Sequence, residues 1–272
     1  MAAPHACETC PVHAEMAQLG AAVGGFDRVI ALAGNPNTGK STLFNALTGL
    51  RQHTGNWPGK TVTRAEGGFQ FAGKRYKLVD LPGTYSLLSA SDDEEVARNF
   101  LLFGRPDCTV VVVDASALER NLYLVLQVLE ITDRVVVAVN LIDEAKRRGI
   151  AVDARSLARD LGVPAVPIVA RTSENVMALL QEVANVASGE TATNPLRSKG
   201  TAEFERAVMK LVPMIEAAAP GLPNARWIAI RLLDGDASVE EALATGKLAD
   251  LVARQQTPDA RFSRKIALQG AQ

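Results

Sequence analysis

Residues 34–41 read Gly-Asn-Pro-Asn-Thr-Gly-Lys-Ser and meet the phosphate-loop pattern G-x-x-x-x-G-K-[ST] at every required position. The apolar run Arg28-Val-Ile-Ala-Leu-Ala33 precedes it, and Thr42-Leu-Phe-Asn-Ala-Leu47, apolar at helical spacing, follows. The loop therefore falls between a strand and a helix, where its chemistry requires it. Gly34 and Gly39 let the backbone curl until successive N–H groups converge on a phosphate. The helix opening at Lys40 adds the positive end of its dipole. Lys40 is expected to reach the β- and γ-phosphates and the Ser41 hydroxyl to ligate Mg²⁺, with Asn35, Asn37, Thr38 and Thr42 completing the lining.

The base is read further along the chain. Val135-Val-Val-Ala-Val139 has the β-branched character of a buried parallel strand and ends in Asn140-Leu-Ile-Asp143, an N-x-x-D. An Asp143 carboxylate there can accept both N1–H and the exocyclic amine of guanine. Adenine has no such donor pair, and a site built on a polar pairing can reject the wrong partner by roughly 10⁴-fold. Asn140 is expected to brace the phosphate loop. Many GTPases carry Lys after this Asn; Leu141 stands there instead, which predicts weaker nucleotide affinity and fast GDP release.

Between these two motifs, Tyr76-Lys-Leu-Val-Asp80 runs into Asp80-Leu-Pro-Gly83, a D-x-x-G. Asp80 would hold Mg²⁺ through a water and the Gly83 N–H would meet the γ-phosphate, so its loss frees the segment 84–90. After the strand 165–168, a backbone N–H of Ala170, Arg171 or Thr172 could meet guanine O6. A Thr is needed in 51–64 to complete the Mg²⁺ shell, and Thr54, Thr61 and Thr63 are the candidates.

Gly55-Asn-Trp-Pro-Gly-Lys-Thr61, the phosphate loop and Asp80-Leu-Pro-Gly-Thr-Tyr-Ser-Leu87 together resemble the cytosolic G domain of FeoB-type ferrous iron transporters. Val113-Asp-Ala-Ser-Ala-Leu-Glu-Arg-Asn-Leu-Tyr-Leu124, Arg226-Trp227 and Leu233-Asp-Gly-Asp236 extend the resemblance over about residues 28–266. By that pattern Thr61 is the switch threonine. Ras-like proteins place Gln after D-x-x-G to orient the attacking water, but here Thr84 follows, and slow intrinsic hydrolysis is expected. Some GTPases with Asn where Asn37 stands bind K⁺ beside the phosphates, and the resemblance implies such an ion held with carbonyls near Gly55 and Trp57. Trp57 can equally be a packing anchor.

Strands near 28–33, 66–72, 75–80, 108–113, 134–139 and 165–168, alternating with helical stretches, predict an α/β fold. With the motifs and the resemblance, the expected fold is a Ras-like P-loop GTPase with a mostly parallel sheet, helices on both faces and a hairpin at Ala72-Gly-Lys74. A tail over 1–25, a GTPase domain over 26–190, a small all-α domain over 195–260 and a second tail over 261–272 follow from the pattern. With 47% apolar residues the 272-residue chain can bury an ordinary core, and a formal net charge of −1 gives no electrostatic footprint for nucleic acid. Lys146-Arg-Arg148 reads as a solvated helix end. No apolar stretch reaches the ~18 residues that span a bilayer.

His5, Cys7, Cys10 and His13 lie within nine residues and could wrap one Zn²⁺ or Fe²⁺, or serve as a redox pair. Cys108 reads as core. The resemblance implies a GTP/GDP switch regulating or energising Fe²⁺ uptake by an attached transmembrane permease at the inner face of a bacterial membrane. A small cytosolic regulator and self-association are further partners compatible with it. A free-standing GTPase acting in RNA modification or ribosome assembly shares the same three motifs and is the alternative.

Overall fold

The structure, a computed structural model, describes residues 25–248 except 50–51, 89–90, 198 and 247. β1, Arg28–Gly34, is buried along nearly its whole length, as a strand covered on both faces must be. It leads through the phosphate loop into helix α1, Lys40–Thr48, which begins after Gly39 at φ 82°. Then come β2 (Gln52–Asn56), β3 (Thr63–Phe71) and β4 (Lys74–Asp80). β2 lies where the sequence predicts only a switch loop, and β3 starts three residues before the predicted 66. The reason is local: Gln52-His-Thr-Gly-Asn56 is polar and glycine-containing, so nothing in its pattern marks an edge strand. β3 and β4 form the expected hairpin, turning through Ala72 at φ 47° and Gly73 at φ 76°.

Helix α2, Asp92–Phe103, is capped by the Ser91 hydroxyl, which accepts from the Glu94 N–H, and carries four carboxylates in its first turn. β5 (Cys108–Asp114), a 3₁₀ turn (Ala115–Ala117), α3 (Leu118–Ile131) and β6 (Val135–Asn140) follow. α4 (Ile142–Arg147), α5 (Ala154–Leu161), β7 (Ala165–Pro167) and α6 (Val176–Ser188) complete the first unit. Three more helices close the described chain: α7 (Ala202–Ala218), α8 (Ala225–Leu233) and α9 (Ala237–Ala244).

The seven strands run in the order β2-β3-β4-β1-β5-β6-β7, antiparallel from β2 to β4 and parallel thereafter. The doubly wound fold is therefore as expected, with two antiparallel pairs at one edge rather than one. β1 sits between β4 and β5, so the chain reverses its direction of winding beside the phosphate loop, the place where such sheets bind ligands. Leu43 and Phe44 of α1 and Val176, Leu179, Leu180 and Val183 of α6 cover one face. α2 and α3 cover the other, and Val208, Ile215 and Trp227 of the C-terminal helices join the same core. Polar contacts pin those helices: the Asn224 amide donates to the Glu130 and Ile131 carbonyls at the end of α3, at 2.6 and 3.0 Å. The polar stretch at 188–195 is likewise held, with the Asn194 N–H donating to the Gly162 carbonyl at 2.9 Å.

Candidate functional site

Strand register brings the motifs together. Leu32 pairs with Asp80, Gly34 with Val112, and Asp114 with Asn140, so the ends of β1, β4, β5 and β6 form one rim. A Cβ on Gly34 would stand 2.6 Å from the Val112 carbonyl, which is why only glycine can open the loop there. Gly39 is constrained twice: it has a left-handed φ of 82°, and a Cβ on it would stand 2.2 Å from Asn140 Nδ2.

Asn140, 1% exposed, uses that space. Its Nδ2 donates to the Thr38 carbonyl at 2.9 Å and its Oδ1 accepts from the Ala170 N–H at 2.9 Å. One amide thus joins the phosphate loop to the segment after β7. The Thr38 hydroxyl donates to the Asn35 carbonyl at 2.9 Å, folding the loop on itself. The Asn35 amide is buried with neither polar atom hydrogen-bonded. Asn37 takes a left-handed φ of 65° and is exposed. Ser41 and Thr42 are exposed in the first turn of α1, whose leading N–H groups have no intrahelical acceptor.

Lys40 Nζ donates to Asp80 Oδ1 and to the Leu81 carbonyl. Burial pushes the Asp80 carboxyl above its ordinary value, with Lys40 opposing. Gly83 packs on the phosphate loop, since a Cβ on it would come within 3.5 Å of Pro36 Cα. Thr84 is buried.

Asp143, one residue into α4, has its Oδ1 buried without a hydrogen-bond partner. Its Oδ2 accepts from Arg147 at 3.3 Å and from Arg171 at 3.2 Å. A buried carboxylate oxygen without a donor is costly. Of the three backbone groups proposed for the base carbonyl, Ala170 N–H is committed to Asn140 and Thr172 N–H to the Val169 carbonyl. Arg171 N–H makes no internal hydrogen bond among the described residues.

The segment 51–64 is not gathered with these groups. Gly55 pairs with Arg64 in the β2–β3 ladder, and the Trp57 carbonyl accepts from the Lys60 N–H at 3.0 Å. Thr61 is exposed in that turn, Thr54 and Thr63 are exposed on the strands, and none of the three bonds to the phosphate loop among the described residues. The Trp57 indole is buried, 5.4 Å from the Phe100 ring in an edge-on contact. Cys108 is buried, and its thiol is pushed up by desolvation. His5, Cys7, Cys10 and His13 lie outside the described residues. Among the described residues no cluster of three His, Cys, Asp or Glu side chains could hold a metal, and no helix is long and apolar enough to cross a membrane.

Residues 28–183 match the family model described as ferrous iron transport protein B. The chain belongs to this family. Residues 201–265 match a second model, the FeoB cytosolic helical domain. The Fe(2+) transporter FeoB of Escherichia coli strain K12 is 40% identical over 217 residues, which cover 76% of this chain and 27% of that protein. The Fe(2+) transporter FeoB of Salmonella typhi is 41% identical over 219 residues, again 76% of this chain. This FeoB chain thus spans about a quarter of the length of those relatives. The cytosolic domain of Legionella pneumophila FeoB superposes with TM-score 0.72 at 36% identity, covering 84% of this chain and 89% of that one. The GDP form I of the Thermotoga maritima FeoB cytosolic domain gives 0.73 at 35%, covering 84% and 92%.

Two side-chain contacts escaped the sequence reading. The Arg171 side chain, rather than its backbone alone, reaches the Asp143 carboxylate. Arg98 in α2 is buried and lies 3.3 Å from the Ser238 hydroxyl and 6.0 Å from the Trp227 ring. The available signal was an Arg amid the apolar positions of α2.

Proposed function

We propose that this chain is the guanine-nucleotide switch of a ferrous iron transporter, binding GTP with Mg²⁺ and hydrolysing it to GDP and phosphate. By this reading it regulates or energises an attached membrane permease at the inner face of the membrane. The observation that carries it is the pair of base-reading groups at the end of β6. Asn140 clamps two loops together, and Asp143 presents a buried carboxylate oxygen that lacks a donor. Guanine supplies two donors for that carboxylate, and Arg171 N–H is the free backbone donor for O6. The two family matches favour iron transport over the RNA- or ribosome-acting alternative.

The residues present fit Mg²⁺: Ser41 offers an exposed hydroxyl at the start of α1, and Asp80 a carboxylate whose partner among the described residues is Lys40. Lys40 would leave Asp80 for the phosphates. Thr61 would join the Mg²⁺ shell after the β2–β3 hairpin rearranges. Asn37, with an exposed amide, fits K⁺, and the Gly55 and Trp57 carbonyls would become available on the same rearrangement. Such an ion supplies positive charge where an arginine finger acts elsewhere. Gly83 N–H and the Thr84 backbone remain to orient the attacking water, and turnover is slow.

The test is GTP turnover in K⁺ against Na⁺ at equal ionic strength, with ATP as control. K⁺ stimulation without ATP turnover is expected. Equal rates in both salts would remove the ion site and leave a guanine switch, whereas comparable ATP turnover would overturn the role of Asp143.

A further inference from the structure

The Arg171 guanidinium bridges the loop after β7 and the start of α4. Its Nη2 lies 3.2 Å from Asp143 Oδ2. The side chain is 71% exposed and has no other partner among the described residues. Arg147, by contrast, reaches the same oxygen from Asp143's own helix, one turn on, and pairs with Glu144 as well. Position 141, where a lysine stem covers the base in many GTPases, is Leu, with φ 62°.

We propose that Arg171 is a stand-in ligand for the base-reading carboxylate, occupying Asp143 when guanine is absent and so promoting nucleotide release. This rests on the reading of Asp143 as the guanine acceptor. Guanine presents N1–H and the exocyclic amine side by side, and together they need both oxygens of the carboxylate. Oδ1 is buried and has no partner, but Oδ2 already carries two guanidinium contacts. Entry of the base therefore displaces or weakens the Arg171 contact. Departure of the base restores it, and the carboxylate is never left with Oδ2 stripped of its cross-loop donor. The empty state gains what the bound state loses, so Arg171 lowers affinity, and because its contact re-forms as the base leaves it quickens release. The exposure of the guanidinium limits the effect: pairs of this kind shift an equilibrium by about two- to five-fold.

Release of N-methylanthraniloyl-GDP from the full chain tests this in wild type, Arg171→Ala and Arg171→Lys. Arg171→Ala should release about two- to five-fold more slowly at low salt. The difference should shrink at about 0.5 M NaCl, where an exposed pair is screened. Arg171→Lys, which keeps charge but loses the planar fork, should fall between. Unchanged or faster release from Arg171→Ala would overturn the proposal, the latter because it would mean the guanidinium covers the bound base.

A second arm separates this from the reading beneath it. Asp143→Asn presents an amide donor where xanthine carries a carbonyl, so that variant should prefer the xanthine analogue of the probe. If it does, Arg171→Ala added to it should alter release of that analogue less than it alters GDP release in wild type, because a neutral amide oxygen accepts from the guanidinium more weakly than a carboxylate does. Equal slowing in both backgrounds would show that Arg171 acts elsewhere. If Asp143→Asn keeps the wild-type preference for guanine, the carboxylate is not the base acceptor and both readings fall.

Discussion

Lys40 Nζ stands 2.5 Å from Asp80 Oδ1 and 2.7 Å from the Leu81 carbonyl, so the phosphate-loop cation is held by the D-x-x-G carboxylate. The contact follows from strand register, since Leu32 on β1 pairs with Asp80 on β4 and the loop turns back over that pair. On the proposed reading, nucleotide and Mg²⁺ binding would part the two, the phosphates taking the ammonium and the metal the carboxylate. Each partner of the ion pair is thereby kept compensated when the site is empty.

Asp80 should give the protein a measurable pH response. Burial raises its folded-state pKa above the ordinary 3.8, and Lys40 offsets this only in part. A carboxyl with a raised folded pKa stabilises the fold below its unfolded pKa, and that contribution is lost as pH rises through the folded value. Between neutrality and 3.8, falling pH should therefore improve this group's contribution to stability while weakening Mg²⁺-dependent nucleotide binding. Asp80→Asn should flatten both trends. Thermal midpoints and Mg²⁺-dependent GDP affinity across that window would read them, and parallel wild-type and variant curves would contradict the assignment.

Asn140→Ala should be among the most damaging substitutions in the site. It strips a partner from the Thr38 carbonyl and from the Ala170 N–H, both met at 2.9 Å. Leaving a buried backbone group unpaired costs about 1–3 kcal/mol. A stability loss of at least ~2 kcal/mol and a drop in GDP affinity beyond about tenfold are expected. Gly39→Ala should break the same bridge from the other side, because its Cβ would stand 2.2 Å from Asn140 Nδ2. The double variant should then cost less than the sum of the two, as measured by denaturant titration.

Much of the nucleotide site was legible because its groups sit in short motifs tied to strand ends: the phosphate loop, Asp80, Asn140 and Asp143 all fall where spacing puts them. Strand order explains their convergence, and the β-branched runs at 108–113 and 135–139 announce buried parallel strands. β2 was not legible, since an edge strand needs neither apolar alternation nor β-branched residues to hydrogen-bond its neighbour. The side-chain reach of Arg98 and Arg171 was hidden for a different reason. A long cation reveals its partner only when distant segments are packed, and Arg98 meets Ser238 across 140 positions of sequence.

Trp57 offers a way to separate packing from ion binding in the switch segment. Its ring is 4% exposed, lies edge-on to Phe100 and carries the Arg64 guanidinium 5.7 Å from its centroid. Its indole N–H is buried without a partner. Trp57→Ala should cost about 3–5 kcal/mol. Trp57→Phe keeps a ring, removes an unpaired donor and should cost less than about 1.5 kcal/mol. If the proposed K⁺ contact is made by the backbone carbonyl, Trp57→Phe should retain any K⁺ stimulation of GTP turnover. Its loss in a stably folded Phe variant would instead assign the effect to the indole.

Arg98 should carry coupling between the helix that follows D-x-x-G and the C-terminal helices. Its side chain is 7% exposed, donates to the Ser238 hydroxyl at 3.3 Å and lies over Trp227, with burial pulling its pKa down and Asp236 and Glu95 opposing. Arg98→Ala opens a hole and removes the cation together, a change expected to cost about 3 kcal/mol. Arg98→Met fills much of the volume without the charge, so it should cost far less while severing the polar link to α9. The chain has two tryptophans, and Trp57→Phe leaves Trp227 as the sole reporter of the C-terminal helices. In that background, wild-type Arg98 should give coincident urea transitions by Trp227 fluorescence and by far-UV circular dichroism. Arg98→Met should move the fluorescence transition to lower urea, ahead of the sheet, because α9 then loses its Ser238 link to α2 while the Asn224 and Arg105 contacts lie nearer α8. Transitions that stay coincident would show that the apolar core shared with Val208 and Ile215 suffices to couple the two parts.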